Sequence, residues 1–392
     1  MPETRYSLAP GLEVVRLSDD RFQLRSDFAA LELSGETAGE IVEKVFGALQ
    51  QPLTLDEIAA RLPGYQIESL RAQLESLVSE GVLVTGPEAV AGGNRTFAAL
   101  LDEMGFGAQD TQARLAERKV AIFGLEAHGA HVAQILADAG VGHLVLADPF
   151  AFEPAHHALT PVRDAQAVGL SREVATARLI ARPDLEVTTA GQGAFDRDRV
   201  RALSEGCRLL IVCWDRGFHA AHHWANEAAL EFGVPALFSE LRATTTFAGP
   251  LFLPGRSACW MCYRMRVLAC EQDFDLAMAY EEHLDRKRQP SLAERPLLPA
   301  LPLQLASTLA LEALKFLIRL NQPTLVDKVL AFDGLLGETR THPVLVKPFC
   351  PTCSKKKPAS SPSARSSSRP LAEPVRRCTS WRNYWSATTA GS

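Results

Sequence analysis

A chain of 392 residues has room for two or three domains with substantial cores, and 47% hydrophobic with 22% charged residues is an ordinary globular balance. No uninterrupted apolar run of membrane-spanning length occurs, and the opening "MPETRYSLAPGLEVVRLSDD" lacks a basic-then-apolar signal pattern, so a cytoplasmic protein with no membrane partner is expected. The net charge of −5 is uneven: from Ser354 onward eight Lys or Arg stand against Glu373 alone, which leaves about −12 on the preceding body. An acidic body speaks against a nucleic-acid partner, whose phosphates are held chiefly by basic groups.

In chain order, residues 1–88 read as one small module. "GLEVVRL" and "RFQLRS" alternate like strands around the turn "SDD", and "FAALELS" supplies a third. "GETAGEIVEKVFGAL" places Ile41, Val42, Val45 and Phe46 on one helical stripe. Thr54 with Glu57 forms a capping box for a second helix, and Leu70, Leu74, Leu77 and Val78 mark a third that stops at Gly81. With a closing strand, this is a winged-helix-like arrangement. A DNA-binding regulator is one reading of it, but the third helix carries Glu68, Glu75 and Glu80 against Arg71, the wrong sign for a groove reader.

Residues 89–117 read as a helical linker. The next domain, 118–354, opens with the buried-strand pattern "RKVAIFG" running into Gly124, followed by a helix and by "GHLVLADPF", a strand ending at Asp148. Strand, glycine turn, helix and strand with a terminal acid make a nucleotide-binding βαβ unit. "RLLIVCWD", ending at Asp215, "HHWANEAALEF" and "VPALFSELR" repeat the alternation, so the fold class is α/β with a mostly parallel, Rossmann-like sheet. "LALEALKFLIRL" is an amphipathic helix and "KVLAFDGLLGETR" a hairpin. The Ser-, Pro- and Arg-rich stretch 355–392 has too little apolar content to order itself.

Cysteine spacing carries the most specific chemistry. Cys259 and Cys262 form one Cys-x-x-Cys pair, and Cys350 and Cys353 a second. Four thiolates in two tight turns suit a closed tetrahedral site, for which structural Zn²⁺ is the expected metal. Cys207, Cys213, Cys270 and Cys378 have no partner at ligand spacing. His128, His131, His156, His157, His219, His222 and His223 invite a second metal, but "HAAHH" lacks a metalloprotease glutamate and reads as packed or solvated histidine.

The first module resembles the RiPP recognition element, which captures leader peptides of ribosomal natural products as an added strand. That resemblance implies a docking edge at Phe28, Ala29, Ala30, Leu31, Glu32 and Leu33, beside a cleft with Leu70, Arg71, Leu74 and Leu77. The second domain, on "VAIFGLEAHGAHVAQILADAGVGHLVLAD", "IVCWD", "GPLFLPGRSACWMC" and "LALEALKF…CPTC", resembles the ubiquitin-activating-like ThiF superfamily. Its members adenylate a carboxylate with ATP.

The family loop G-x-G-G-x-G survives here only at its outer positions, Gly124 and Gly129, with Glu126 and Ala127 between them. Asp148 matches the ribose-binding acid and Asp215 the acid of a later turn. Phe150 replaces a second acid, and Leu159 stands where a phosphate-binding arginine is usual. These departures imply a degenerate nucleotide site, with ATP not expected on this chain. The combination, with "THPVLVKPFCPTC", is similar to partner proteins of YcaO-type cyclodehydratases in thiazole/oxazole-peptide (bacteriocin) biosynthesis. The implied role is a leader-binding scaffold with no catalytic residues of its own, partnered by the precursor leader peptide and a YcaO enzyme, and possibly a homodimer. An ATP-dependent enzyme acting on a peptide carboxylate is the alternative.

Overall fold

The computed structural model describes residues 4–354 apart from 10, 28–29, 37, 86–93, 192–194, 215–217 and 288–295. The expectations for Phe28, Ala29, Asp215 and the stretch 355–392 lie outside the described residues. The chain divides into two units, one running to Asp110 and the other starting at Thr111, a division inside the stretch read as a linker.

The first unit contains β1 (Arg5–Leu8), β2 (Glu13–Arg16), β3 (Arg21–Arg25), β4 (Ala30–Ser34), α1 (Ala38–Ile41), β5 (Leu53–Thr54), α2 (Leu55–Ala59), α3 (Ile67–Ser79), β6 (Leu83–Thr85) and α4 (Arg95–Glu103). It holds two three-stranded sheets, in the orders β5-β1-β6 and β2-β3-β4. Two corrections to the sequence reading arise here. β1 and the two-residue β5 are further strands, paired with each other in the sheet that β6 completes. The stripe from Ile41 to Phe46 is not one regular helix: α1 passes into a π segment (Val42–Phe46), whose wider turn brings Val45 and Phe46 together into the core. The Thr54 capping box is present, with Thr54 Oγ1 accepting from the Glu57 N–H and Glu57 Oε2 accepting from the Thr54 N–H.

The second unit follows with α5 (Ala108–Ala116), which spans the division, then β7 (Lys119–Phe123), α6 (His128–Asp138), β8 (His143–Ala147), α7 (Arg172–Ile180), β9 (Glu186–Thr189), α8 (Arg197–Ser204), β10 (Leu209–Val212), α9 (His219–Phe232), β11 (Ala236–Arg242) and β12 (Thr245–Phe252). It closes with α10 (Trp260–Ala269), α11 (Phe274–Lys287), α12 (Leu301–Ile318), β13 (Lys328–Asp333) and β14 (Glu338–Pro343). One eight-stranded sheet has the order β14-β13-β12-β11-β10-β7-β8-β9. The strands from β11 to β9 run parallel, and β12, β13 and β14 add antiparallel partners at the other side. β7 and β10 are neighbours although α6, β8, α7, β9 and α8 separate them in sequence, so the strand order reverses between them. Their carboxyl ends are therefore the switch point, beyond which open α/β sheets hold ligands in a crevice.

α12 is the one described helix long and apolar enough to cross a membrane by length and composition, with mean hydropathy 1.4, yet 61% of it is buried within the protein. It packs on α6 and on β11 and β12 as a core helix.

The glycines at the start of α6 show which demands of the motif are structural. Gly124 has φ +91°, and a Cβ there would lie 2.8 Å from the Trp214 nitrogen. A Cβ on Gly129 would collide with the Gly124 carbonyl oxygen. Both glycines are therefore required by the helix–strand contact whether or not a phosphate is bound. Gly129→Ala should lower the stability of this unit by about 3 kcal/mol, as overpacking does, measurable as an earlier transition in thermal denaturation.

Candidate functional site

The loop from β7 to α6 is closed by its own side chains. Leu125, Glu126, Ala127 and His128 are all buried, Glu126 with only 1% of its surface exposed. Glu126 stands just before the first turn of α6, where unpaired N–H groups and the helix dipole favour an anion. Sequence reasoning found no cation for this carboxylate. The structure supplies one: Arg172, the first residue of α7, lies with Nη2 3.6 Å from Glu126 Oε1 and Nη1 3.4 Å from Asp148 Oδ2. A cation opening a helix runs against the helix dipole, and that was the available sequence signal for Arg172. His156 Nε2 lies 3.9 Å from Glu126 Oε1 on the other side.

Asp148, just past the end of β8, is fully buried and already occupied. Its Oδ2 accepts from the Leu125 N–H at 2.8 Å and its Oδ1 from the Phe150 N–H at 3.3 Å. Burial pushes its carboxyl upward against the opposing pull of Arg172 and these N–H groups. Glu173, also unforeseen, accepts from the N–H of Asp148 at 3.0 Å and of Gly191 at 2.8 Å, and burial raises it too. Glu126, Arg172, Asp148 and Glu173 therefore form one buried polar cluster spanning the loop and two strand ends.

Beside the cluster the crevice is filled with rings. Phe150 meets Trp214 edge-on at 5.8 Å and Phe218 at 6.1 Å, and the Arg172 guanidinium sits 5.7 Å from the Phe150 ring centre. Phe195 packs on both Trp214 and Phe218. Leu159, in the arginine's place, offers only its carbonyl, 3.2 Å from His131 Nε2. A buried carboxylate therefore stands at the start of α6, and Asp148 is bonded to protein donors.

The histidines are packing groups. His222 stacks on Trp260 at 5.2 Å, His223 meets the same ring edge-on, and His128 Nε2 lies 2.9 Å from Ser239 Oγ.

The four cysteines converge as expected. Cys259 caps α10, Cys262 sits in its first turn, and Cys350 and Cys353 come from the turn after β14. Their sulfurs lie within 4.8 Å of one another, with separations of 3.8 Å (Cys259–Cys262), 3.7 Å (Cys259–Cys350) and 3.6 Å (Cys262–Cys353). A tetrahedron with metal–sulfur bonds of about 2.3 Å has edges of about 3.8 Å. The cluster can hold a metal ion, and its all-sulfur donor set and closed geometry are compatible with zinc. The Lys347 N–H points at Cys262 Sγ from 3.3 Å, a donor suited to a thiolate. Four thiolates this close repel one another unless a cation lies among them.

In the first unit, β4 pairs only with β3 among the described strands, leaving its other edge open. Leu31 and Leu33 sit opposite Leu24 and Phe22 and are half-buried, whereas Ala30 and Glu32 point outward and Glu32 pairs with Arg21 at 2.8 Å. Leu70 and Leu74 belong to the buried core and Leu77 packs against it. Arg71 lines an open cleft of about 480 Å³ together with Tyr6, Leu55, Asp56, Glu75 and Val78.

The sequence matches the ThiF family over residues 99–355. The chain belongs to the ThiF family. Solved structures share the fold. E. coli MccB with ATP superposes at TM-score 0.60 with 16% identity, covering 89% of this chain and 99% of MccB. The microcin C7 biosynthetic enzyme MccB with N-formylated MccA gives 0.59 and 15%, over 89% and 99%. PaaA gives 0.59 and 16%, over 85% and 98%. No curated protein matches this ThiF-family chain by sequence.

Two outcomes follow. One zinc per chain is expected by metal analysis, and removing it with a strong chelator, or making Cys350→Ser, should lower the denaturation temperature of this unit. Burial also holds His128 at about 3 and His222 at about 4, below the ordinary 6.5, so these imidazoles fold neutral. Their contribution is intact above pH 6.5 and is lost as pH falls toward 4, by about 1.4 kcal/mol per pH unit for each. Denaturation midpoints from pH 7 to pH 4.5 should fall, and His128→Asn should flatten the profile.

Proposed function

We propose that this ThiF-family chain is a peptide-binding scaffold without adenylation chemistry of its own. In this reading the first unit, a winged-helix-like RiPP recognition element, captures the leader of a ribosomal precursor peptide. The second unit serves a YcaO-type cyclodehydratase that uses ATP to convert Cys, Ser or Thr of the peptide into azolines.

The observation that carries it is the Glu126–Arg172–Asp148 arrangement. A triphosphate entering this loop would bring several negative charges against a buried carboxylate and would compete for the Arg172 guanidinium that lies against it. Losing one partner of such a buried set costs about 3–5 kcal/mol, which binding would have to repay. Peptide capture is supported by the open edge of β4, whose unpaired backbone groups can accept another strand. It is supported also by the fold shared with MccB, solved in complex with MccA. Tethering a substrate in this way raises its local concentration to roughly the millimolar range. The four-cysteine site, loaded with zinc, would tie the segment after β14 to α10, a structural task.

The second reading, an adenylating enzyme acting on a peptide carboxylate, draws on Arg172 and Asp148, which are the charges such a site would keep, and on the fold shared with MccB, solved with ATP. ATP–pyrophosphate exchange separates the two. The purified chain, alone or with precursor peptide, should show none, and clear exchange would remove the scaffold reading.

For the leader, fluorescence polarisation with a labelled precursor is the direct measurement. Leu31→Lys and Leu33→Lys should weaken binding at least about tenfold, equivalent to about 1.4 kcal/mol, while Arg340→Gln, exposed on β14 of the second unit, should not. Unchanged affinity in both lysine variants would place the peptide elsewhere.

A further inference from the structure

We infer that the cleft of the first unit is a receptor for a basic side chain, a lysine or arginine carried on a peptide. The cleft has about 480 Å³, within the size range of small-ligand sites. It is bounded by the sheet β5-β1-β6, where Tyr6 of β1 lies opposite Thr85 of β6 in register. The first turn of α2 adds Leu55 and Asp56, and α3 adds Arg71, Glu75 and Val78 on one stripe at positions i, i+4 and i+7. None of these residues belongs to β2, β3 or β4, so the cleft is distinct from the open edge of β4.

What marks it as a site is that its polar groups are unspent. Tyr6 is only 6% exposed and belongs to the core, yet its hydroxyl has no hydrogen-bond partner among the described residues. A tyrosine set this deep normally spends its hydroxyl on a neighbour; here it is left for a donor from outside. Asp56, Arg71 and Glu75 likewise have no ion pair or hydrogen bond among the described residues. Local partners were within the sequence's reach. Thr54 and Glu57 cap α2 between them, and Glu57 also lies 3.8 Å from Arg5, which leaves Asp56 beside them unused. Arg71 and Glu75 stand one helical turn apart, a spacing at which opposite charges can meet, and they do not pair.

The balance of groups selects the ligand. Two carboxylates meet one guanidinium at the cleft, and α3 adds Glu68 and its capping residue Glu80 with no further cation. The local field is therefore negative and draws a cation. Leu55 and Val78 give an apolar surface of the kind along which the methylene stem of lysine or arginine lies while its charged head reaches polar groups. Such a head has donors only, and the hydroxyls of Tyr6, Thr4 and Thr85 can accept from it beside the carboxylates. A single exposed ion pair is weak, so selectivity comes from Asp56, Glu75 and the stem contacts acting together. An acidic side chain would meet two like charges, and an apolar one would leave every charge unused.

The inference holds whether or not the second unit adenylates. It rests on the peptide-capture reading only for which peptide is held, to which it assigns a basic residue. Failure at the cleft leaves the β4 measurement standing, and the reverse, because the two use different residues.

Methyl NMR of the full chain labelled at leucine and valine tests it. N-acetyl-lysine N-methylamide and N-acetyl-arginine N-methylamide are the probes, with N-acetyl-glutamate N-methylamide as the contrast. The Leu55 and Val78 methyl signals, identified through Leu55→Ile and Val78→Ile, should shift and saturate with at least one basic probe while Leu31 and Leu33 on β4 stay in place. Asp56→Asn combined with Glu75→Gln, both at exposed positions, should weaken that binding at least about tenfold with an unchanged thermal midpoint. Tyr6→Phe, which keeps the ring, should weaken it to a smaller extent. Leu55 and Val78 signals that stay still with both basic probes, a glutamate probe that binds as tightly, or a double variant that binds like the wild type would each overturn the proposal. Shifts confined to Leu31 and Leu33 would put the basic side chain at the β4 edge and overturn it equally.

Discussion

The buried pairing of Arg172 with Glu126 and Asp148 is the interaction on which the second unit turns. A carboxylate placed against the start of a helix gains from the dipole but cannot stay ionised in a dry core without a cation. Arg172 meets that need and, in doing so, takes up Asp148. The result ties the β7–α6 loop to the end of β8 and to α7. These are the three elements that converge on the crevice where the strand order reverses.

The retained and replaced glycines fit the same logic. Gly124 and Gly129 serve backbone geometry, which the fold needs in every state. The inner positions, now Glu126 and Ala127, would matter only for letting a phosphate approach the backbone. Those inner positions can differ, with Phe150, Trp214 and Phe218 packed beside them, while the outer glycines keep the fold intact. Fold and chemistry are separable in this way because sheet packing and ligand contact rest on different atoms.

Stability at the far end of the sheet rests on a different device. The segment after β14 has few buried side chains, with Leu345, Val346 and Phe349 exposed, so packing alone does little to hold it. Cys350, fully buried among the other three sulfurs, is its main attachment. A metal at that point would turn binding free energy into folding free energy for a stretch that otherwise lacks a core.

What was legible from the sequence were features encoded by spacing along one segment. These include the parallel α/β pattern, the capping box at Thr54, the stop at Gly81 and the two thiol pairs whose turns set their own geometry. The missing inner glycines were legible too, because a motif is a local string. Only the tertiary structure decided what those strings meet. Arg172 and Glu173 lie far along the chain from Glu126, and no periodicity announces that α7 will deliver them to the same point. Leu70 and Leu74 show the same limit from the other side: their helical spacing marks an inward face, but whether that face lines a groove or fills a core depends on how closely the sheets approach it. The physical reason is common to all of these. Backbone propensities and turn chemistry act over a few residues, whereas burial and charge pairing are settled by distances across the fold.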